Sequence, residues 1–461
     1  MFTRRTFITL LTFSGIVLLA ITGCRTQKTA SPPVEIPDNF STSGTQLVPE
    51  RWWTTFDDDN LNAVVDSALQ SNFNLLTAWQ RLQAAQAVVD RESSALYPDL
   101  EASAGGEVNR PANNFQDPES IQLGLSSVYE IDLWGRIRSG VEAEQFRAQA
   151  TLSDYQTVAL TLSAEIVRTW YQLADAQNQL ALIEQQIETN LTVLELLTNR
   201  FQIGQIQSVD VLRQRQLVEA TREQRTYAEA GVQVLEHQLA VLLGRSPQSG
   251  IEINPEDLPE LPSLPDAGVP IELVQRRPDV QSSFLLLRAA DRDLASAISN
   301  QYPRLTISAS ASSIADNAAS LFEDWALSFA GNLIAPIFYG GQLSAEVDRT
   351  EAVKQQRLYE YGQTILTSFR EVEDALIREE KQTESIQSIE RQVELATRAY
   401  EQLRVQYLNG SGNYLDVLTA LDGIQQLHRD LLSARLTLVE YRVALYRALA
   451  GSFETELVAE E

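Results

Sequence analysis

Reactive side chains are scarce in this 461-residue chain, which has one cysteine, two histidines and one methionine, Met1. A zinc or iron–sulfur site needs three or four converging thiolate or imidazole ligands, and this inventory leaves none to assemble. A single cysteine also excludes an internal disulfide. His237 and His428 lie far apart in sequence, each within a helical heptad pattern. No nucleotide-binding loop and no paired-acid motif stands out. Asp57-Asp58-Asp59 could hold a cation, but an acid just before a helix opening near residue 60 ordinarily caps its free N–H groups. The remaining carboxylates of interest follow glycine turns. Asp210 lies six residues past Gly204, and Asp416 lies six past Gly410. These residues make no catalytic case.

The thiol of Cys24 takes its chemistry from its position. Arg4 and Arg5 precede a mainly apolar stretch from Phe7 to Ile21, and Thr22-Gly23 are small, the pattern of a secretory signal over 1–23. A transmembrane anchor is the alternative for this stretch, but it leaves unexplained why the sole cysteine follows Ile21-Thr22-Gly23 directly. The stretch resembles a bacterial lipobox, which implies a covalent lipid on Cys24 as the mature N-terminus. Arg25 follows, not the aspartate that such lipoproteins carry for inner-membrane retention, so the resemblance implies the outer membrane. Residues 25–50, with Pro32, Pro33, Pro37 and Pro49 among Ser and Thr, suit an extended tether with little packed structure.

Charge and hydrophobicity narrow the class further. The formal charge is −26, or −28 once 1–23 and their two arginines are removed. That balance argues against a nucleic-acid binder. With 44% hydrophobic residues the chain can bury a sizeable core. No run of 18 apolar residues follows the N-terminus, so any further membrane crossing must be made of strands.

The chain repeats itself. Tyr97-Pro98-Asp99-Leu100 recurs as Tyr302-Pro303-Arg304-Leu305, and Gly135 recurs as Gly340, both shifted by 205 residues. Phe201-Gln202-Ile203-Gly204 with Asp210-Val211-Leu212 recurs as Tyr407-Leu408-Asn409-Gly410 with Asp416-Val417-Leu418, shifted by 206. The organisation is therefore a signal (1–23), a lipidated tether (24–50), repeat 1 (51–246), a Pro-rich linker (247–270), repeat 2 (271–451) and an acidic tail (452–461). Residues 60–96 read as a helix ended by Pro98. Ile121, Leu123, Leu125, Tyr129, Ile131 and Leu133 alternate with polar or small residues, as do Leu305, Ile307, Ala309 and Ala311, and a further run opens at Trp325. This is the period of strands. The loops Arg110–Glu119 and Ala315–Asp324 separate two strands in each repeat. Leu162, Ile166, Trp170 and the apolar residues after them then advance by roughly 3.5 residues per step, a coiled-coil seam. No proline interrupts 136–203 or 343–409, so each helix runs ~100 Å at 1.5 Å per residue. Helical sequence resumes at 208–243 and 412–450, which makes each long helix one arm of an antiparallel hairpin.

Four strands cannot close a barrel, and an open edge in lipid costs several kcal/mol per unpaired backbone group. If these strands sit in a bilayer, the protein must oligomerise. The alternative keeps them in a soluble sandwich beside an ordinary coiled coil.

Trp52-Trp53, the segment Tyr129-Glu130-Ile131-Asp132-Leu133-Trp134-Gly135-Arg136, Arg277-Pro278-Asp279-Val280 and Tyr302-Pro303 resemble the lipoprotein branch of TolC-type outer membrane efflux proteins, the NodT/OprM-like group, over roughly 50–450. The resemblance implies a mainly α chain with a β-barrel part. Three copies would each give four transmembrane strands to one barrel, and the hairpins would continue it as an α-helical tunnel. It also implies no enzyme activity, no cofactor beyond the lipid, and two partners, a periplasmic adaptor and an inner-membrane pump of the resistance-nodulation-division (RND) class. The tips Ile203, Gly204, Gln205 and Asn409, Gly410, Ser411, Gly412 would receive the adaptor. Asp416 would line the closed periplasmic entrance, with Asp210 as its repeat counterpart. This chain departs at the companion position, where the pattern's second acid falls on Thr419 and Asp422 follows a turn later. The outer-membrane channel of a type I protein secretion system shares this fold and is the close alternative. A periplasmic coiled-coil scaffold without a pore is the third.

Overall fold

The computed structural model describes residues 33–108, 119–250, 257–316 and 318–455. The signal, Cys24, most of the first strand-pair loop and tail residues 456–461 lie outside them. Two 67-residue helices, α3 (Arg136–Gln202) and α7 (Gln342–Leu408), dominate the chain. Each turns back into a shorter antiparallel partner, α4 (Ser208–Leu242) or α8 (Tyr414–Leu449). Before the first hairpin stand α1 (Asp59–Ser71) and α2 (Phe73–Ser93), and before the second stand α5 (Pro270–Arg276) and α6 (Pro278–Ser299).

The region read as one helix over 60–96 is two. Asn72 leaves the helix at ψ 123°, and its Oδ1 accepts from the N–H groups of Asn74 and Leu75. Its amide donates to the Leu242 carbonyl at 2.9 Å. A side chain able to cap a helix and reach a distant carbonyl thus breaks a run that hydrophobic spacing alone leaves continuous. Asp58 is the N-cap foreseen for the Asp57–Asp59 run: its Oδ1 accepts from Leu61 N–H, and its Oδ2 accepts from Trp170 Nε1 at 2.9 Å.

The strands β1 (Glu101–Val108), β2 (Glu119–Ile131), β3 (Arg304–Ala315) and β4 (Ala326–Ile334) form one antiparallel sheet in chain order. Leu133 falls beyond β2 because Asp132 turns to receive the backbone N–H of Arg138, and Trp325 stands just before β4. One face carries Leu123, Leu125, Ile307, Leu327, Phe329 and Leu333, while Gln122, Ser126, Thr306, Ser308 and Ser310 line the other. Among the described residues, the outer edges of β1 and β4 have no strand beside them. Among the described residues no helix is long and apolar enough to cross a membrane.

The strand-to-helix elbow explains the Tyr129–Arg136 motif. Arg136 grips Glu130 through both carboxylate oxygens, at 3.0 and 2.9 Å, and Arg138 pairs with Asp132 at 3.2 Å. Trp134 stacks on Tyr302 and donates to the Pro303 carbonyl at 2.8 Å. The two repeats' elbows are joined there by their own landmark residues. Gly135 caps α3 with φ 78°, and its structural counterpart is Gly341, which caps α7 with φ 86°, not Gly340.

The main core lies where the N-terminal segment, the linker and the tail converge on α3 and α8. Trp52 stacks on Tyr446 and Trp53 meets Phe453 edge-on, both indoles fully buried. Burying such a side chain stabilises the fold by about 1.5–3 kcal/mol. Parts of the tether, expected to be unpacked, are fastened to α7 and to the linker. Phe40 is buried against Phe369, Ser41 N–H donates to Glu373 at 2.9 Å, and Gln46 pairs with Pro265 of the linker. Proline and serine content marks an extended backbone, but an extended backbone can still be strapped to a helix by one aromatic anchor. The Arg277-Pro278-Asp279 motif is a second fastener. Buried Arg277 takes both oxygens of Asp279 and reaches Glu371 of α7 at 2.8 Å.

Candidate functional site

Both helical tips close with the same local device. In the first, Gly204 N–H donates to the Phe201 carbonyl and Gln205 N–H to the Arg200 carbonyl, with Gly204 at φ 74°. In the second, Gly410 N–H donates to Tyr407 and Ser411 N–H to Gln406, with Gly410 at φ 76°. These are Schellman closures, whose left-handed position glycine occupies without a Cβ penalty. The glycines are therefore required by the turns themselves. Ile203, Gly204, Gln205, Asn409, Gly410, Ser411 and Gly412 are all exposed, so the structure brings every expected docking residue to the surface of a tip.

Past the second tip, Asn413 caps α8 by accepting from Asp416 N–H at 3.0 Å. Asp416, Thr419 and Asp422 are exposed and recur at three-residue spacing along one face of α8. Thr419 Oγ1 donates back to the Leu415 carbonyl. Asp210 is set apart. It is half-buried in the first turn of α4, where its charge acts on Tyr407 and Tyr414 between the hairpins. Burial first, and then that carboxylate, push the Tyr407 hydroxyl above its usual range. Both phenols therefore remain neutral at ordinary pH.

The hairpins meet in a small apolar cluster of Leu197, Val211, Tyr414 and Val417, above which the contact turns polar. The Tyr414 hydroxyl donates to Gln214 Oε1, and Gln214 Nε2 donates to the Asn190 carbonyl at 2.7 Å. Asn190 and Gln425 exchange a pair of amide hydrogen bonds at 3.2 and 2.9 Å, and Asn190 also donates to Thr221. Asn190 and Gln214 are 0% exposed and Gln425 is 5% exposed. Gln186 donates to the Gln425 carbonyl and receives Arg429. Higher up, Gln179 reaches the Arg429 carbonyl and Ser433, and Gln172 reaches Glu440. These seam residues are the part that sequence reasoning missed. The signal was present: Gln172, Gln179 and Gln186 stand seven residues apart, a polar heptad beside the apolar one.

A sheet with two free edges, rigid elbows and paired hairpins ending in exposed glycine tips has recognisable relatives. The family model described as "outer membrane efflux protein" matches residues 64–245 and 269–451. The chain belongs to the outer membrane efflux protein family. It is 29% identical over 418 residues to the pyoverdine export outer membrane protein OpmQ of Pseudomonas aeruginosa, covering 88% of each chain. It is 28% identical over 416 residues to the solvent efflux pump outer membrane protein SrpC of Pseudomonas putida, covering 86% of each. The outer-membrane channel OprN superimposes with a TM-score of 0.82 at 27% identity, over 92% of this chain and 99% of that one. The protein is thus an outer-membrane efflux protein and not an enzyme, in a family that works without a cofactor. The organisation read from the sequence, two repeats of strands and long hairpins, is that family's fold.

Proposed function

We propose that three copies of this efflux protein form the passive exit duct of a tripartite RND-type pump. Each gives four strands to one barrel, and the hairpins form the periplasmic tunnel. The observation that carries this is the continuity of the open-edged sheet, through braced elbows, into two helices of equal 67-residue length. A sheet whose edges are free in lipid needs other copies to pair with. A periplasmic adaptor docks on the exposed tips, and the inner-membrane pump supplies the energy. OpmQ and SrpC are named for exporting pyoverdine and solvents, which favours small-molecule cargo. In planar bilayers the purified protein should give cation-favouring single channels, and it should migrate as a heat-resistant trimer. Monomers without conductance would leave only the scaffold reading.

The gate lies at the tips. Three copies of Asp416, with Thr419 and Asp422 on the same exposed face, make an acidic ring that attracts cations and repels anions. Asp210 acts differently, by holding the seam tyrosines in a negative field. Asp416→Ala should raise single-channel conductance or relieve block by added divalent cations, and an unchanged value of both removes Asp416 from the ring. Cys24 carries the lipid, so Cys24→Ser should abolish incorporation of labelled fatty acid. Undiminished labelling would overturn that assignment.

A further inference from the structure

Resting on the trimeric barrel reading, we infer that β4 of one copy pairs with β1 of the next in a register fixed by the internal repeat, Leu333 lying opposite Ala104 of the next copy and Ile334 opposite Ser103. The argument uses the contact already made inside the chain. The first hairpin maps onto the second with a shift of 205 residues before the strand-pair loop and 206 after it: α2 begins at Phe73 and α6 at Pro278, while α3 begins at Arg136 and α7 at Gln342. The strand ladders obey the same shifts, since Glu101 opposite Ser126 reappears as Thr306 opposite Asn332. The contact between repeats is β2 against β3, with Ser127 opposite Ala309, Leu125 opposite Ala311 and Ile131 opposite Leu305.

Closing the sheet repeats that contact between copies. Ser127 moves forward one repeat to Leu333, and Ala309 moves back one repeat to Ala104. By the same step Gly331 falls opposite Gly106, and Ile337 opposite Leu100. The last pair joins two of the most exposed apolar side chains in the protein, Leu100 at 76% and Ile337 at 91%. The apolar face also stays continuous, whereas a slip of one residue would turn Leu333 and Phe329 onto the polar face.

Backbone polarity agrees with this edge. Asp99 N–H donates to the Val128 carbonyl at 3.2 Å, so even-numbered residues of β2 direct their polar groups toward β1. One repeat on, even-numbered residues around β4 face β3 and odd-numbered ones face outward. Pro336, which lacks an N–H, therefore leaves its gap on the β3 side. Residues 331, 333, 335 and 337 keep every donor on the free edge. The same alternation makes Ser103–Ile334 and Gly105–Asn332 non-hydrogen-bonded pairs, whose close approach suits a disulfide.

Four double-cysteine variants of the full-length protein test the register, each oxidised in isolated outer membranes and run on non-reducing gels. Ser103→Cys with Ile334→Cys, and Gly105→Cys with Asn332→Cys, should yield covalent dimers and trimers. Ser103→Cys with Asn332→Cys, and Gly105→Cys with Ile334→Cys, should not, because they report a two-residue slip in either direction. Cross-linking of a slipped pair in place of the predicted pairs overturns the register. So does the absence of any cross-link in protein that light scattering shows to be trimeric. Protein that is monomeric by light scattering overturns the barrel reading itself, so the two failures are distinguishable.

Discussion

Arg442→Met should lower the stability of the protein by about 3–5 kcal/mol, as removal of one partner from a buried ion pair does. Arg442 is 3% exposed and its partner Glu379 is 7% exposed. The guanidinium donates Nε to Glu379 Oε2 at 2.9 Å and Nη2 to the other oxygen. It also gives Nη1 to the Pro262 carbonyl at 2.7 Å and lies over the ring of Tyr446. Methionine can replace the packing of the stem but none of these donors. Glu379 would then be a buried carboxylate without a counter-charge, and the linker would lose its tie to α8. Thermal unfolding in detergent should show a markedly lower midpoint, and the linker around Pro262 should become cleavable by protease in the folded protein. The double variant Arg442→Met with Glu379→Met should recover much of the loss, because no charge is left buried. A single variant that unfolds like the parent would show that water reaches Glu379.

This ion pair illustrates what a single sequence hides. The long helices were legible because proline is absent from 136–203 and 343–409, and because glycine at 204 and 410 is the residue a left-handed closure selects. The strands were legible through their two-residue period, to within the turn that Asp132 makes. Those are local properties, written into consecutive residues. Arg442 and Glu379 lie 63 residues apart on different helices, and either one alone reads as a solvated surface charge. The same holds for Asn190, Gln214 and Gln425, which by residue type belong on an exposed face. Only the pairing of hairpins, a long-range fact, makes them interior. Phe40 escaped notice for a related reason: one aromatic in a polar tether has no periodicity to betray its partner, Phe369. Asp416 and Asp210 were found through the repeat, yet symmetry of sequence did not make them equivalent. Asp416 lies on an exposed face and Asp210 beside the tyrosines, because the hydrogen-bonded seam joins α3 to α8, while Asp210 opens α4 where it packs beside Tyr407 of α7.

That asymmetry bears on how the tips would open if they form the proposed gate. A rearrangement that separates α8 from α3 must break the seam, so the seam's free energy counts toward the closed state and not the open one. Gln425→Ala removes both amide bonds to Asn190 while leaving the Asn190 side chain buried with Thr221 as its remaining partner. A buried amide left short of partners costs about 1–3 kcal/mol. Applied to the closed state alone, this shifts the gate toward open by about 5- to 150-fold. Recordings in planar bilayers should show a correspondingly larger fraction of time in the high-conductance state. The paired variant Asn190→Leu with Gln425→Leu separates a gating effect from simple damage. Exchanging both amides for apolar groups of similar size leaves nothing unsatisfied, so it should close nearly as well as the parent. If Gln425→Ala instead leaves the open fraction unchanged while lowering the unfolding midpoint, the seam fixes the register of the hairpins without holding the gate. Opening would then proceed by α8 and α3 moving together against the neighbouring copies, with the proposed ring at Asp416 widened from outside the chain.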